Sequence, residues 1–131
     1  MTSGIYDKAR EKFMTAGINM LTDTIKAVLI DVQDYTVNFA THEFLSDIPA
    51  AARVATSAAL GGKTATAGIF NATSTTWSAV TGDQSEAVVF IKDTGNANTS
   101  PVIAYVDSAS SGLPVTPNGG DITLNFDTGV N

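Results

Sequence analysis

The chain has no cysteine, a single histidine and a single tryptophan, and charged residues make up only 15% of its 131 positions. Without cysteine neither a disulfide nor a thiolate metal site can contribute, so packing and backbone pairing must hold the fold. One histidine and no thiol cannot supply the three or four nitrogen or sulfur ligands of a usual zinc site. His42 lies beside Glu43, but a nucleophile, base and orienting group are not assembled around it in sequence, and a partly exposed surface imidazole near a carboxylate is the simpler reading. No stretch approaches the ~20 apolar residues of a membrane span. The amino terminus lacks a basic segment followed by an apolar run and a small-residue cleavage site, so a chain that is soluble where it is made is expected.

What is present is mostly neutral and small: Thr, Ser, Asn, Ala and Gly are abundant. A chain of 13.5 kDa fits one domain able to bury roughly two-thirds of its unfolded surface. The net charge of −6 is uneven. Lys8, Arg10 and Lys12 face only Asp7 and Glu11 in the first twelve residues, which leaves an acidic body. Such a body repels phosphate and disfavours nucleic acid as a ligand, while the slightly basic start suits an acidic protein surface.

The pattern along the chain predicts an all-β fold. Residues 5–16 place Tyr6, Ala9 and Phe13 at helical spacing, with Ser3 as a cap and Gly17 as the left-handed residue after the end. This start reads as a short amphipathic helix or an extended arm. Residues 24–31 read as a strand whose second half is apolar on both sides, and residues 86–92 are the most apolar run and the best candidate for a central strand. Residues 41–48 offer one or two helical turns stopped by Pro49. Further strands are expected near residues 54–60, 64–70 and 75–80, with Trp77 facing inward and Gly61-Gly62 making a hairpin turn. Residues 101–107 and 121–127 are expected to pair across the turn-rich segment 108–120; Ile122, Leu124 and Phe126 alternate with polar residues there. Turn signals every roughly 8 to 12 residues predict a single antiparallel β-sandwich or jelly-roll-like domain over residues 21–131, preceded by an N-terminal arm or helix over residues 1–20.

Chemistry-bearing motifs are sparse. Asp93-Thr94-Gly95-Asn96-Ala97-Asn98 alternates oxygen donors but misses the EF-hand order, so a plain turn competes with a calcium loop. Gly61-Gly62-Lys63-Thr64 echoes the end of a phosphate loop without its first glycine or a following helix. Asp31, Asp34, Glu43, Asp47, Glu86 and Asp107 are carboxylates that convergence in space could pair. No catalytic residue, cofactor or metal is assigned.

Four blocks occur in order: Leu21-Thr22-Asp23-Thr24-Ile25-Lys26; Asp34-Tyr35-Thr36-Val37-Asn38 with residues 41–49; Gly82-Asp83-Gln84-Ser85-Glu86-Ala87 with residues 91–95; and Gly112-Leu113-Pro114-Val115-Thr116-Pro117-Asn118-Gly119-Gly120-Asp121-Ile122. Together they resemble a family of small virion structural proteins of tailed bacteriophages. Members of that family continue past the last strand with an aromatic and a short basic, apolar tail, whereas this sequence stops at Gly129-Val130-Asn131. The resemblance implies virion assembly. A scaffolding protein should be long, helical and charged, a portal or terminase needs more residues, and an internal DNA-binding protein conflicts with the acidic body. A capsid decoration (cement) protein on the virion surface fits these residues best, made in the bacterial host cytoplasm. It would bind the major capsid protein and form a homo-oligomer, dimer or trimer, with neither nucleic acid nor membrane as partner. A tail or neck component is the alternative, and a host-glycan-binding module with Trp77 or Tyr105 as its platform is another. An enzyme ranks behind these for want of a base. The expected assembly contacts are Tyr6, Lys8, Arg10 and Phe13 near the start, and Leu113, Pro114, Val115 and Pro117 in the late loop.

Overall fold

A computed structural model of the protein describes residues 3–107 and 113–126. The expectations for residues 108–112 and 127 lie outside the described residues. The fold is mainly antiparallel β. Its elements are β1 (Gly4–Ile5), α1 (Asp7–Met14), β2 (Ile25–Ile30), β3 (Arg53–Thr56), β4 (Thr64–Thr66), β5 (Ile69–Asn71), β6 (Thr75–Trp77), β7 (Ala87–Lys92), β8 (Val102–Val106) and β9 (Ile122–Leu124). Two 3-10 turns, Leu45–Asp47 and Ala50–Ala52, precede β3.

The main sheet has the order β1-β8-β7-β2-β3. Its centre is the β2–β7 pair, in register from Ile25↔Lys92 to Ile30↔Ala87. The second half of β2 was expected to be apolar on both sides and β7 to be the best central strand, and the pair carries a packed cluster on each face. One face carries Val28, Ile30, Val89 and Tyr105 with Tyr6, Ala9 and Tyr35. The other carries Ala27, Leu29 and Val88 beneath Trp77 and Val80. Trp77 lies on a two-stranded ribbon, β6–β9, that crosses this second face as the other layer of a sandwich, and its indole N–H donates to the Ala27 carbonyl at 3.2 Å.

Three local expectations are corrected. Residues 101–107 and 121–127 do not pair with each other: β8 lies between β1 and β7, while β9 pairs with β6 in the other layer. Residues 64–70 are not one strand but most of a hairpin, with Ala67 (φ 54°) and Gly68 (φ 77°) as a two-residue turn in which both central residues have positive φ. Gly61-Gly62 is not a hairpin turn, since β3 pairs with β2 and β4 with β5. It closes the stem of the β4–β5 excursion, where Thr73 N–H donates to Gly61 O at 3.0 Å. A Cβ on Gly62, at φ +57°, would stand 2.6 Å from Thr73 Cγ2.

The start of the protein is neither a free arm nor a detached helix. Gly4 and Ile5 pair with Tyr105 and Ala104. Ser3 does not cap α1: its hydroxyl donates to Asp107 Oδ1 and accepts the Asp107 N–H, both at 3.0 Å. Tyr6 occupies the cap position without a side-chain cap bond. At the other end the left-handed residue is Ala16 (φ 61°), not Gly17, whose N–H reaches back to Lys12 O at 2.7 Å in the Schellman arrangement. Alanine carries a Cβ penalty there that glycine lacks.

Ala16→Gly is therefore expected to stabilise the fold by about 0.5–1 kcal/mol, raising Tm by roughly 2–4 °C in a thermal melt. An unchanged or lower Tm would count against the assignment of this cap. Gly62→Ala should lower stability by about 1–3 kcal/mol in the same assay.

Candidate assembly surface

Five strands in one layer and two in the other leave part of the main sheet uncovered. Ala104 of β8 stands opposite both Ile5 and Phe90, so the three share one face, the face that the β6–β9 ribbon covers farther along. Where the ribbon stops, Ile5, Phe90, Ala104 and Val106 floor a groove of about 280 Å³. Phe13 and Met20 form one wall, with Ile103 behind them. Phe70 and Phe126 form the other, their rings edge to face at 6.2 Å, with Phe126 5.8 Å from Phe90. The lining is almost wholly apolar. The exposed large hydrophobic residues among the described ones are Ile5, Phe13, Met14 (80% exposed) and Leu21 (46%), all within residues 5–21.

The expected contact residues divide. Phe13 lines the groove. Lys8 and Arg10 stand on the exposed side of α1, in i,i+3 ion pairs with Glu11 (3.6 Å) and Asp7 (3.3 Å) that contribute little at such exposure. Tyr6 is a correction: it is fully buried, packs on the Phe39 ring at 5.4 Å, and cannot meet a partner. Leu113, Pro114, Val115 and Pro117 lie away from the groove. Val115 is fastened to Ser85 by two backbone hydrogen bonds of 2.8 Å and packs under the β6–β9 ribbon, while Pro114 is exposed. Ile5, Met14, Met20, Leu21, Phe70, Phe90, Val106 and Phe126 were missed, because nothing in a strand pattern says which part of a face will lack a covering layer.

On the opposite face of the sheet, beside Tyr105, lies a polar network of Tyr6, Tyr35 and His42. His42 Nδ1 accepts the Asn38 backbone N–H (3.2 Å), so it carries no proton and also accepts the Tyr35 hydroxyl (2.7 Å). Tyr35 in turn accepts the Tyr6 hydroxyl at 2.9 Å. The single histidine is thus engaged in structure and, as expected, is a partly exposed imidazole near a carboxylate, that of Asp47. All three tyrosines of the protein sit in this cluster. Burial, first of all, pushes the Tyr35 and Tyr105 phenols up to about 12 and Tyr6 higher still.

Of the carboxylates considered, Asp31 and Asp34 converge, and the others are engaged in separate contacts. Glu43 binds Lys12 at 2.8 Å. Asp47 accepts the Glu43 and Phe44 N–H groups, which outweigh burial and hold its carboxyl below the usual range. Glu86 accepts the Val32 N–H. Asp93 is held low by Lys26 at 2.7 Å and by the Gly95 N–H, so both its oxygens are engaged in a turn rather than free for calcium. Asp31, Asp34 and Asp83 bring carboxylate oxygens within 4.8 Å of one another, with Asp31 also accepting the Gln33 N–H. Neither glycan platform is on the surface: Trp77 is 3% and Tyr105 0% exposed. Among the described residues no helix is long and apolar enough to cross a membrane.

No protein-family model matches the sequence, and no curated protein matches it.

Two outcomes test the tyrosine cluster. Tyr35→Phe strands the buried Tyr6 hydroxyl and is expected to cost about 1–3 kcal/mol in denaturant unfolding. The raised phenols contribute stability that is complete below the ordinary phenol value of about 10 and is lost as pH rises through about 12. Tyrosinate absorbance should therefore appear together with loss of the fold; tyrosinate forming in a protein that stays folded would contradict the buried cluster.

Proposed function

We propose that this protein is a structural component of a bacteriophage virion, a capsid decoration protein that binds and stabilises the shell of major capsid protein. The observation that carries this reading is the apolar groove lined from β1 and α1 by Ile5 and Phe13, together with the exposed Met14 and Leu21 next to groove residues in sequence, on a β domain with no catalytic constellation among its described residues. The resemblance to small virion proteins of tailed phages supplies the biological setting. A cement protein acts by burying surface across joints between shell subunits, so that its binding free energy opposes rupture. Many copies acting together make modest single contacts sufficient. A groove of this size suits the anchoring of a few apolar side chains within such a contact, the pattern in which a small central cluster supplies most of the affinity. Homo-oligomers on the shell surface belong to the same proposal, as does a non-enzymatic role.

The test is binding to capsids that lack the protein, read by sedimentation and a count of bound copies. Removing the first seventeen residues would delete an edge strand and the buried Tyr6, so loss of binding would only report misfolding. Met14→Glu combined with Leu21→Glu changes exposed side chains and should leave stability within about 0.5 kcal/mol. Wild-type protein is expected to saturate at a copy number set by capsid symmetry, and the double variant to bind at least about tenfold more weakly, a loss of roughly 1.4 kcal/mol. Saturable binding unaffected by the substitutions would move the contact elsewhere. Absence of wild-type binding would move the protein to the neck or tail.

A further inference from the structure

Asn118-Gly119 is the one Asn-Gly pair in the sequence. Asn118 is exposed, Gly119 has φ 86°, and no atom lies within 4 Å of where a Gly119 Cβ would be. An asparagine before an unhindered glycine is prone to a self-reaction. The Gly119 backbone nitrogen, once deprotonated, attacks Asn118 Cγ; a new N–C bond closes a five-membered succinimide, the bond from Cγ to Nδ2 breaks, and ammonia leaves with the proton. Water then opens the ring at either carbonyl, giving aspartate or isoaspartate. The net change is uptake of one water and release of one ammonia, with no oxidant or cofactor.

The fold opposes the first step. The Gly119 N–H donates to Val80 O at 2.8 Å, and the Val80 N–H donates to Gly120 O at 3.0 Å. The Asn118 side-chain oxygen accepts the Gly120 N–H at 2.9 Å. Next to this clamp Asp121 Oδ1 accepts the Ala79 N–H at 2.9 Å, and on the far side Val115 is fastened to Ser85. The attacking nitrogen therefore keeps its proton in a bond to a carbonyl, and turning it toward Cγ breaks that bond.

We propose that Asn118 is a latent deamidation site that the Val80 clamp keeps closed, so that its conversion occurs only from a locally opened segment and then prevents that segment from closing again. The second half follows from the product. Isoaspartate inserts one methylene into the backbone between residues 118 and 119, which displaces the Gly119 N–H from Val80, and either product adds a negative charge three residues from Asp121 on a protein that already carries −6. The inference is independent of what the protein binds.

The experiment is timed peptide mapping of the full-length protein at mildly alkaline pH, folded and in urea, with amide hydrogen exchange on the folded sample. Conversion at Asn118 is expected to be at least about tenfold slower in the folded protein, with matching protection of the Gly119 amide, because both reactions wait for the same opening. Equal rates in folded and urea-treated protein, or a Gly119 amide that exchanges as if open, would overturn the clamp. Folded protein converted at position 118, separated from the unconverted form by its added charge and shown by peptide mapping to carry isoaspartate there, should show faster exchange at the Val80 amide; undiminished protection at Val80 would overturn the irreversible step.

Discussion

The pairing of β2 with β7 is the contact on which everything else rests. Six residue pairs in register place ten apolar side chains and two lysines in a two-strand ribbon, and all of the apolar ones except Phe90 are buried. Fully burying a Val, Leu or Ile side chain stabilises by about 1.5–3 kcal/mol, so this pair is a major source of folding free energy. Its lysines are turned outward at one end, where Lys26 meets Asp93 and Lys92 meets Asp23. With both faces apolar the pair needs two different coverings. Helix α1, Tyr6 and Tyr35 supply one, and the β6–β9 ribbon supplies the other.

The two coverings differ in extent, and the groove follows from that difference. The ribbon is three residues long in each strand and spans β2 and part of β7, so the β8–β1 side of the same face has no layer above it. A three-residue strand reaches only about 10 Å. The aromatic wall of Phe70 and Phe126 lines the boundary. The N-terminal segment contributes twice: Tyr6 and Ala9 close the core on one side, while Ile5, Phe13, Met14 and Leu21 present apolar surface outward. One short segment thus couples stability to the proposed contact.

The elements whose identity rests on local pattern were legible in the sequence. The apolar runs at 24–31 and 86–92 read as central strands because few other environments tolerate apolar side chains on both sides, and the alternation at 122–126 marked a strand with one wet face. Pairing was less legible. Proximity in sequence favours a hairpin between β8 and β9, yet β8 finds β7 and β1, and β9 finds β6, because the apolar edge of β7 offers more surface to bury than a hairpin would. The Ala67-Gly68 turn was hidden because alanine carries no signal for positive φ, and the same holds for Ala16 at the helix end. Of the residues that line the apolar groove, only Phe13 was among the expected contacts. Tyr6 shares its helical stripe but faces inward, a distinction that depends on where β8 lies and not on spacing within the helix. The late loop read as a presented surface because of its prolines, but the Ser85–Val115 bridge ties it to the body.

Hydrogen exchange on the free protein and on the protein bound to capsids tests most directly the idea that the uncovered side of the sheet is the contact. Added protection is expected at residues 4–5, 13–21 and 104–106, around the groove, with the β2–β7 amides equally slow in both states. Added protection confined to residues 113–117, or to the Asp31–Asp34–Asp83 end of the sheet, would contradict it.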